Sequence, residues 1–195
     1  MTTFVHLRVH TEFSLVDSVV RVPELMRAAA AARMPAIALT DEHNLFAMVK
    51  FYREALKKGI KPIIGVDLLV AEAGERSVPS RLTLLCMNDV GYRNLTRLVT
   101  RAYLEGQQRG APQVERAWMT RETTGGLIAL SGGTSGDVGR SLTSGRPGDA
   151  ERLLEAWLEL FGPDRYYLEL TRVGRPDEEA AIAATLSLAE RHGVP

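Results

Sequence analysis

The hydrophobic and polar positions repeat a simple order: a short apolar run, a polar break, then a longer segment with apolar residues at helical spacing. Phe4 to Ser14, FVHLRVHTEFS, opens it. Phe4, Val5, Leu7 and Val9 are strand formers, and a period of two sends His6, Arg8 and His10 to one side. Val22 to Arg33 places Pro23 in the first turn of a helix with alanines in its body, and Met34-Pro35 ends it. Ala36 to Leu39, AIAL, reads as a fully buried parallel strand running into Thr40, Asp41, Glu42, His43 and Asn44. Asn44 reads as the N-cap of a helix from Leu45 to Lys58, ended by Gly59.

Ile60 to Val70 is strand-like, with Asp67 interrupting its apolar residues, and Ala71 to Ser80 is a polar loop. Leu82 to Met87 predicts a fourth strand, and Asn88 or Asp89 caps a helix running to Glu105. Gly106 to Gln113 reads as loop, with a short helix around Trp118. Gly126 to Ser131 predicts a fifth strand that empties into GGTSGDVG, Gly132 to Gly139. Pro147 to Phe161 is an amphipathic helix with Leu153, Leu154, Trp157, Leu158 and Phe161 on one face. Arg165 to Thr171 predicts a sixth strand, and Pro176 to Arg191 a last helix before Gly193. Strand and helix alternating in this way imply a parallel sheet with right-handed crossovers. Polar residues gather at the ends of several different strands, which suits the mouth of an α/β barrel better than an open doubly wound sheet.

The 195 residues suit one large domain with a proper core. Lys plus Arg and Asp plus Glu are balanced at 24 each, so bulk charge announces neither nucleic-acid nor membrane binding. The single cysteine, Cys86, lies in the apolar run LTLLCM and reads as a core thiol in a reducing compartment. No charged and apolar leader opens the chain and no apolar run reaches about 18 residues, so no signal peptide or membrane span is expected, and the expected location is cytoplasmic.

The candidate chemistry lies at the strand ends. His6 and His10 alone are weak signals. Asp41-Glu42-His43 directly after a buried strand is stronger, because burying three ionisable groups unpaired costs several kcal/mol. The bland alternative is a helix N-terminus favouring acids. Asp67 within an apolar strand needs a cation nearby, and carboxylate with imidazole suits Zn, Mn or Fe. GGTSGDVG lacks the Gly-Lys-Ser/Thr ending of a phosphate loop and reads as a tight strand-to-helix turn. Trp118, Trp157, Tyr166 and Tyr167 read as packing residues. Glu169 either points into a barrel or forms an ordinary ion pair.

The segments HLRVHTEFSLVD, MPAIALTDEHNLFAMVKFY, GIKPIIGVD, LTLLCMNDVGYRNLTRL, GLIALSGGTSGDVGR, DRYYLELTRVGRPDEE and LAERHGVP resemble, in order, the N-terminal PHP (polymerase and histidinol phosphatase) domain of bacterial DNA polymerase III alpha subunits of proteobacterial type. The resemblance covers essentially the whole chain. It implies a distorted, TIM-like (β/α)7 barrel spanning residues 1–195, the N-terminal fragment of a longer polymerase subunit. The seventh strand, with the last two metal ligands, is expected beyond Pro195.

Active members of the family hold divalent metals and hydrolyse phosphoesters. Here Arg8 and His10 stand where the family has His-x-His, and Asp41-Glu42-His43-Asn44 where it has Asp-His-Gly-Asn. Asp67 stands for the usual Glu, Arg81 for a His, and Gly133 for a Cys. Arginine cannot deprotonate to bind a metal. The expectation is a vestigial pocket of Arg8, His10, Asp41, Glu42, Asp67 and Arg81, with Arg8 and Arg81 doing the charge-neutralising work of lost metals and no catalytic residue in this domain. Any residual Zn or Mn would fall to His10, Asp41, Glu42, His43 and Asp67.

By resemblance, the parent is a DNA-directed DNA polymerase with Mg in its polymerase domain and DNA as a partner. This domain would support the other polymerase domains and dock the proofreading exonuclease (epsilon) subunit. The alternatives are a residual metal-dependent phosphoesterase or 3′–5′ exonuclease, and a stand-alone histidinol-phosphatase-like enzyme.

Overall fold

Every residue of the run AIAL is buried, and it forms β1 (Ala36–Leu39) of the computed structural model, which describes residues 4–72, 78–108, 110–162 and 164–195. α1 (Val22–Ala31) precedes it, with Pro23 in the first turn as expected. α2 (Met48–Lys57) then carries a crossover to β2 (Lys61–Ala71), which pairs with β1 in parallel. α2 starts later than predicted because Asn44 does not cap it. The Asn44 amide instead donates to Phe13 O and Glu42 O, and its oxygen accepts from Phe46 N, so it ties a loop.

β3 (Ser80–Cys86) corrects the all-parallel expectation. It pairs antiparallel with β2, setting Thr83 opposite Asp67 and Arg81 opposite Leu69. The reason is the connection: residues 72–79 are too few for a parallel crossover, which takes a dozen or more. Half of the predicted polar loop, residues 73–77, lies outside the described residues. The reversal puts the first residues of β3 at the end of the sheet where its neighbours finish.

α3 (Asp89–Glu105) follows, and Asn88 caps it by accepting from Gly91 N at 3.0 Å. β4 (Gln107–Gln108) and β5 (Ala111–Pro112) form a small hairpin where a loop was expected, and β6 (Val114–Glu115) lies parallel to β2. A 3-10 turn, Arg116–Trp118, takes the place of the predicted short helix. β7 (Leu127–Leu130) pairs antiparallel with β3. The glycine-rich stretch then makes the expected tight turn into α4 (Asp137–Thr143): Gly132 holds φ 75°, and a Cβ there would lie 2.4 Å from Arg81 O. α5 (Pro147–Phe161) buries Leu154, Trp157 and Phe161.

β8 (Tyr166–Tyr167) pairs in parallel with β7, and α6 (Glu178–His192) closes the chain. β8 is shorter than the predicted strand because its backbone changes partners: Leu168 N donates to Pro195 O and Glu169 N to Ser131 Oγ. The opening strand is reduced to one parallel bridge, His6 to Ile37, with Ala38 N donating to His6 O and Thr40 N to Val9 O.

The sheet order is β1-β2-β3-β7-β8, with the opening segment beside β1. Only β3 runs against the others. On one face, Val66, Leu68, Leu82, Leu84, Trp157, Phe161 and Tyr166 belong to the main core, where Trp157 stacks on Tyr166 at 6.0 Å. Val22, Met26, Ile37, Leu39 and Phe51 fill a second cluster against α1 and α2. The inner face carries Ala38, Leu85 and Leu130, packed with Ile63, Ile128 and Tyr167. A cleft of roughly 840 Å³ runs along it, bordered by the opening segment and by β8.

Candidate functional site

The period of two along β2 and β3 decides what Asp67 meets. Val66 and Leu68 face the core, so Asp67 faces inward, and across the ladder so does Thr83. Asp67 is fully buried. Its Oδ1 accepts from Thr83 Oγ1 at 3.1 Å. Its Oδ2 accepts from Arg8 Nε at 3.1 Å, Arg8 Nη2 at 2.7 Å and Arg81 Nη1 at 3.1 Å, and it lies 3.1 Å from His10 Nε2. Arg8 Nη1 donates to Glu169 Oε1 at 2.9 Å, and Arg81 Nη2 is paired with Glu42. His10 Nδ1 lies 2.5 Å from Asp17 Oδ2. Three cationic side chains (Arg8, His10, Arg81) thus interlock with four acids (Asp17, Glu42, Asp67, Glu169) at the end of the sheet.

Burial alone would raise the Asp67 carboxyl, but the His10 hydrogen bond and the two guanidiniums outweigh it and hold it down at about 2. Burial alone would lower His10, yet its hydrogen bonds to Asp67 and Asp17 hold the imidazolium above its ordinary range. Both arginines are held charged against burial, Arg8 by Asp67 and Glu169, Arg81 by Asp67 and Glu42. His43 differs: burial lowers it, so it is neutral at pH 7, and its Nδ1 is buried without a hydrogen-bond partner. Cys86 is half-buried, and burial pushes its thiol up to about 12, which removes it as a nucleophile.

These shifts set a pH dependence. Asp67 is depressed, so its contribution is full above its unfolded value of 3.8 and is lost as pH falls from there toward about 2. At about 1.4 kcal/mol per unit, that window carries on the order of 2 kcal/mol. His10 is raised, so its contribution is present below its unfolded value of 6.5 and fades as pH rises through the folded value. The Asp67 and His10 contributions are both full between 3.8 and 6.5, while His43, lowered by burial, works the other way and costs stability as pH falls below 6.5. Urea midpoints across a pH series check this, and in Asp67→Asn the acid slope should flatten.

Asp41 is not part of the cluster. It follows β1 in step with the strand's alternation, so Asp41 and Glu42 point to opposite sides. Glu42 bridges to Asp67 and reaches Arg81, while Asp41 turns to the opening segment. There its fully buried carboxylate accepts from Thr11 N at 2.6 Å, Thr11 Oγ1 at 2.8 Å and Ser14 Oγ at 2.7 Å. All three of these donors are neutral, and they tie Asp41 to the opening segment as a strut. His6 is also apart, edge-on to Phe4 at 4.8 Å. Of the other residues singled out in the sequence, Arg8, His10, Glu42, Asp67 and Arg81 converge, with His43 and Arg81 lining the adjoining cleft.

Sequence reasoning missed Asp17 and Thr83 and left Glu169 open. Thr83 and Glu169 carried a signal, since each lies two residues from an inward apolar residue, Leu85 and Tyr167. Asp17 carried none. It reaches His10 only because the 3-10 segment Glu12–Asp17 folds back, through Leu15 and Val16 at φ 47° and 27°.

A divalent cluster does not fit around Asp67, where two guanidiniums and an imidazole already surround Oδ2 and arginine supplies no lone pair. The group that keeps metal-ligand geometry among the described residues is His10, Asp17 and Glu42, whose ligand atoms lie within 4.8 Å of one another.

A parallel-rich sheet with its charged residues at one end defines a mixed α/β fold of TIM type. Two solved structures share the architecture: an amidohydrolase from Chromobacterium violaceum (TM-score 0.66, 15% identity, 97% of this chain and 84% of that one) and a proposed metal-dependent phosphoesterase from Bifidobacterium adolescentis (TM-score 0.63, 12% identity, 97% and 83%). Identities this low show the fold alone. Within that class the chain belongs to the PHP domain family, whose model matches residues 6–173. It is 48% identical to the DNA polymerase III alpha subunit of Pseudomonas aeruginosa over 99% of its length, 46% to that of Vibrio cholerae and 45% to that of Escherichia coli K12, each over 98%. The chain spans 16% of the length of these relatives, in their N-terminal region. No helix among the described residues is long and apolar enough to cross a membrane.

Proposed function

We propose that residues 1–195 are the PHP domain of a replicative DNA polymerase III alpha subunit, and that this domain works without a metal. In this reading DNA-templated synthesis, a nucleotidyl transfer supported by Mg, belongs to the remaining domains of the same polypeptide. The PHP domain is a scaffold for them and the docking site of the proofreading exonuclease (epsilon) subunit. The observation that carries the metal-free part is the seating of Arg8 and Arg81 on Asp67. Fixed cations there neutralise the acids but cannot activate a water, so hydrolysis goes with the metal.

The test is metal analysis of the purified chain with turnover of a model phosphodiester in added Mn or Zn. The expected result is substoichiometric metal and hydrolysis at the blank rate. Stoichiometric metal with hydrolysis that vanishes in His10→Ala would overturn it. Co-purification with the exonuclease subunit tests docking separately, and no binding would remove that part alone.

A second reading rests on the His10, Asp17 and Glu42 group. One Zn or Mn held there would make the domain a residual phosphoesterase or 3′–5′ exonuclease. Of the ligands expected from sequence, His10 and Glu42 fit this reading, while Asp41 is consumed by Thr11 and Ser14. The ion would have to displace Arg81 from Glu42 and separate His10 from Asp17, which favours the metal-free reading.

A further inference from the structure

The Arg8 guanidinium joins two carboxylates, Asp67 on β2 and Glu169 just after β8. Nε and Nη2 both donate to Asp67 Oδ2, at 3.1 and 2.7 Å, and Nη1 donates to Glu169 Oε1 at 2.9 Å. Glu169 follows β8 and is held there by its own N–H, which donates to Ser131 Oγ at 2.9 Å. Its side chain is 16% exposed, and its second oxygen, Oε2, is buried with no hydrogen-bond partner. Among the described residues no backbone pairing joins the opening segment to β8, so Arg8–Glu169 is the ion pair that spans the cleft both residues line.

We propose that Glu169 is the positioning residue of Arg8, and that Asp67 and Glu169, with His10 alongside, form a cation cradle whose occupant is the guanidinium. The inference rests on the metal-free reading above and adds to it the residue that holds the surrogate and the ligand class the cradle accepts. A planar fork suits two carboxylates approaching from different directions, because each receives its own N–H groups while the charge is shared. Arg81 and His10 also meet Asp67 Oδ2, but Glu42 and Asp17 balance them, and Glu169 Oε2 still lacks a partner, so removing Arg8 leaves four acids facing two cations. Emptied of Arg8, it should take a free cation of matching chemistry, either a small guanidinium or a divalent ion.

The test is chemical rescue in the 195-residue chain. Arg8→Gly should melt below the wild type. Millimolar methylguanidinium or MnCl2 should restore part of the loss, while KCl at equal ionic strength should not, and the wild type should respond to neither. In Arg8→Gly/Glu169→Gln the rescue should disappear. An unchanged melting temperature in Arg8→Gly, no rescue, or equal rescue without Glu169 each overturns the cradle. Should Arg8→Gly fail to fold, a double-mutant cycle with Arg8→Lys and Glu169→Gln decides, zero coupling being the overturning result. Exchange of the Arg8 Nε–H seen by NMR adds a readout a bulk structural role would not move: slow in the wild type and in Glu169→Asp, fast in Glu169→Gln. Manganese bound stoichiometrically by the wild type would sink the metal-free reading. A metal-free wild type with no rescue in Arg8→Gly would sink the cradle alone.

Discussion

Asp67→Ala is expected to destabilise the chain by about 3–5 kcal/mol, the range for removing one partner of a buried ion pair and leaving the other uncompensated. Asp67 is the hub on which Arg8, His10 and Arg81 converge, and its carboxylate is fully buried. Without it the two guanidiniums face each other with only Glu169 and Glu42 left to divide between them. Asp67→Asn keeps an acceptor and should lose less. Urea unfolding reads both. Arg8 and Arg81 are each about one-quarter exposed, so their escape to water is the competing outcome. A loss below about 1 kcal/mol would mean that they escape and that the pairs behave as surface salt bridges.

Asp41→Ala is the second large effect, about 3 kcal/mol, and its cause is different. No cation is stranded. Three donors lose their acceptor instead: Thr11 N, Thr11 Oγ1 and Ser14 Oγ. A buried donor left unsatisfied costs about 1–3 kcal/mol, and the hydroxyls recover part of that by turning elsewhere. Unfolding in urea should fall accordingly, and hydrogen exchange should show the Thr11 amide losing protection while β2 and β3 keep theirs. The segment Glu12–Asp17 should loosen, since Asp41 holds its first turn. Near-normal stability in Asp41→Ala combined with loss of a bound metal would instead restore Asp41 as a ligand.

The different fates of Asp41 and Glu42 show how far local pattern reaches. The sequence marks both as costly charges after a buried strand. Alternation requires that adjacent residues face opposite ways, but it does not say which faces the arginines. Arg81 makes the same point across the chain. Its replacement of a family histidine is visible in the residues, but it meets Asp67 because β3 runs backwards, and that follows from a short connection rather than from strand propensity. Asp17 had no legible signal, because a backbone turned through positive φ at Leu15 and Val16 brings it to His10.

From the residues alone came the βα order, the buried strands AIAL and LIAL, the tight glycine turn and the presence of arginines where metal ligands belong, because apolar period and side-chain chemistry are local properties. Only the folded chain decided which acid each arginine takes, that Glu169 joins them, and that Asp41 stands outside. Ion pairing depends on distances between segments up to 161 positions apart in sequence, and those distances are fixed by the direction and register of the strands that carry them.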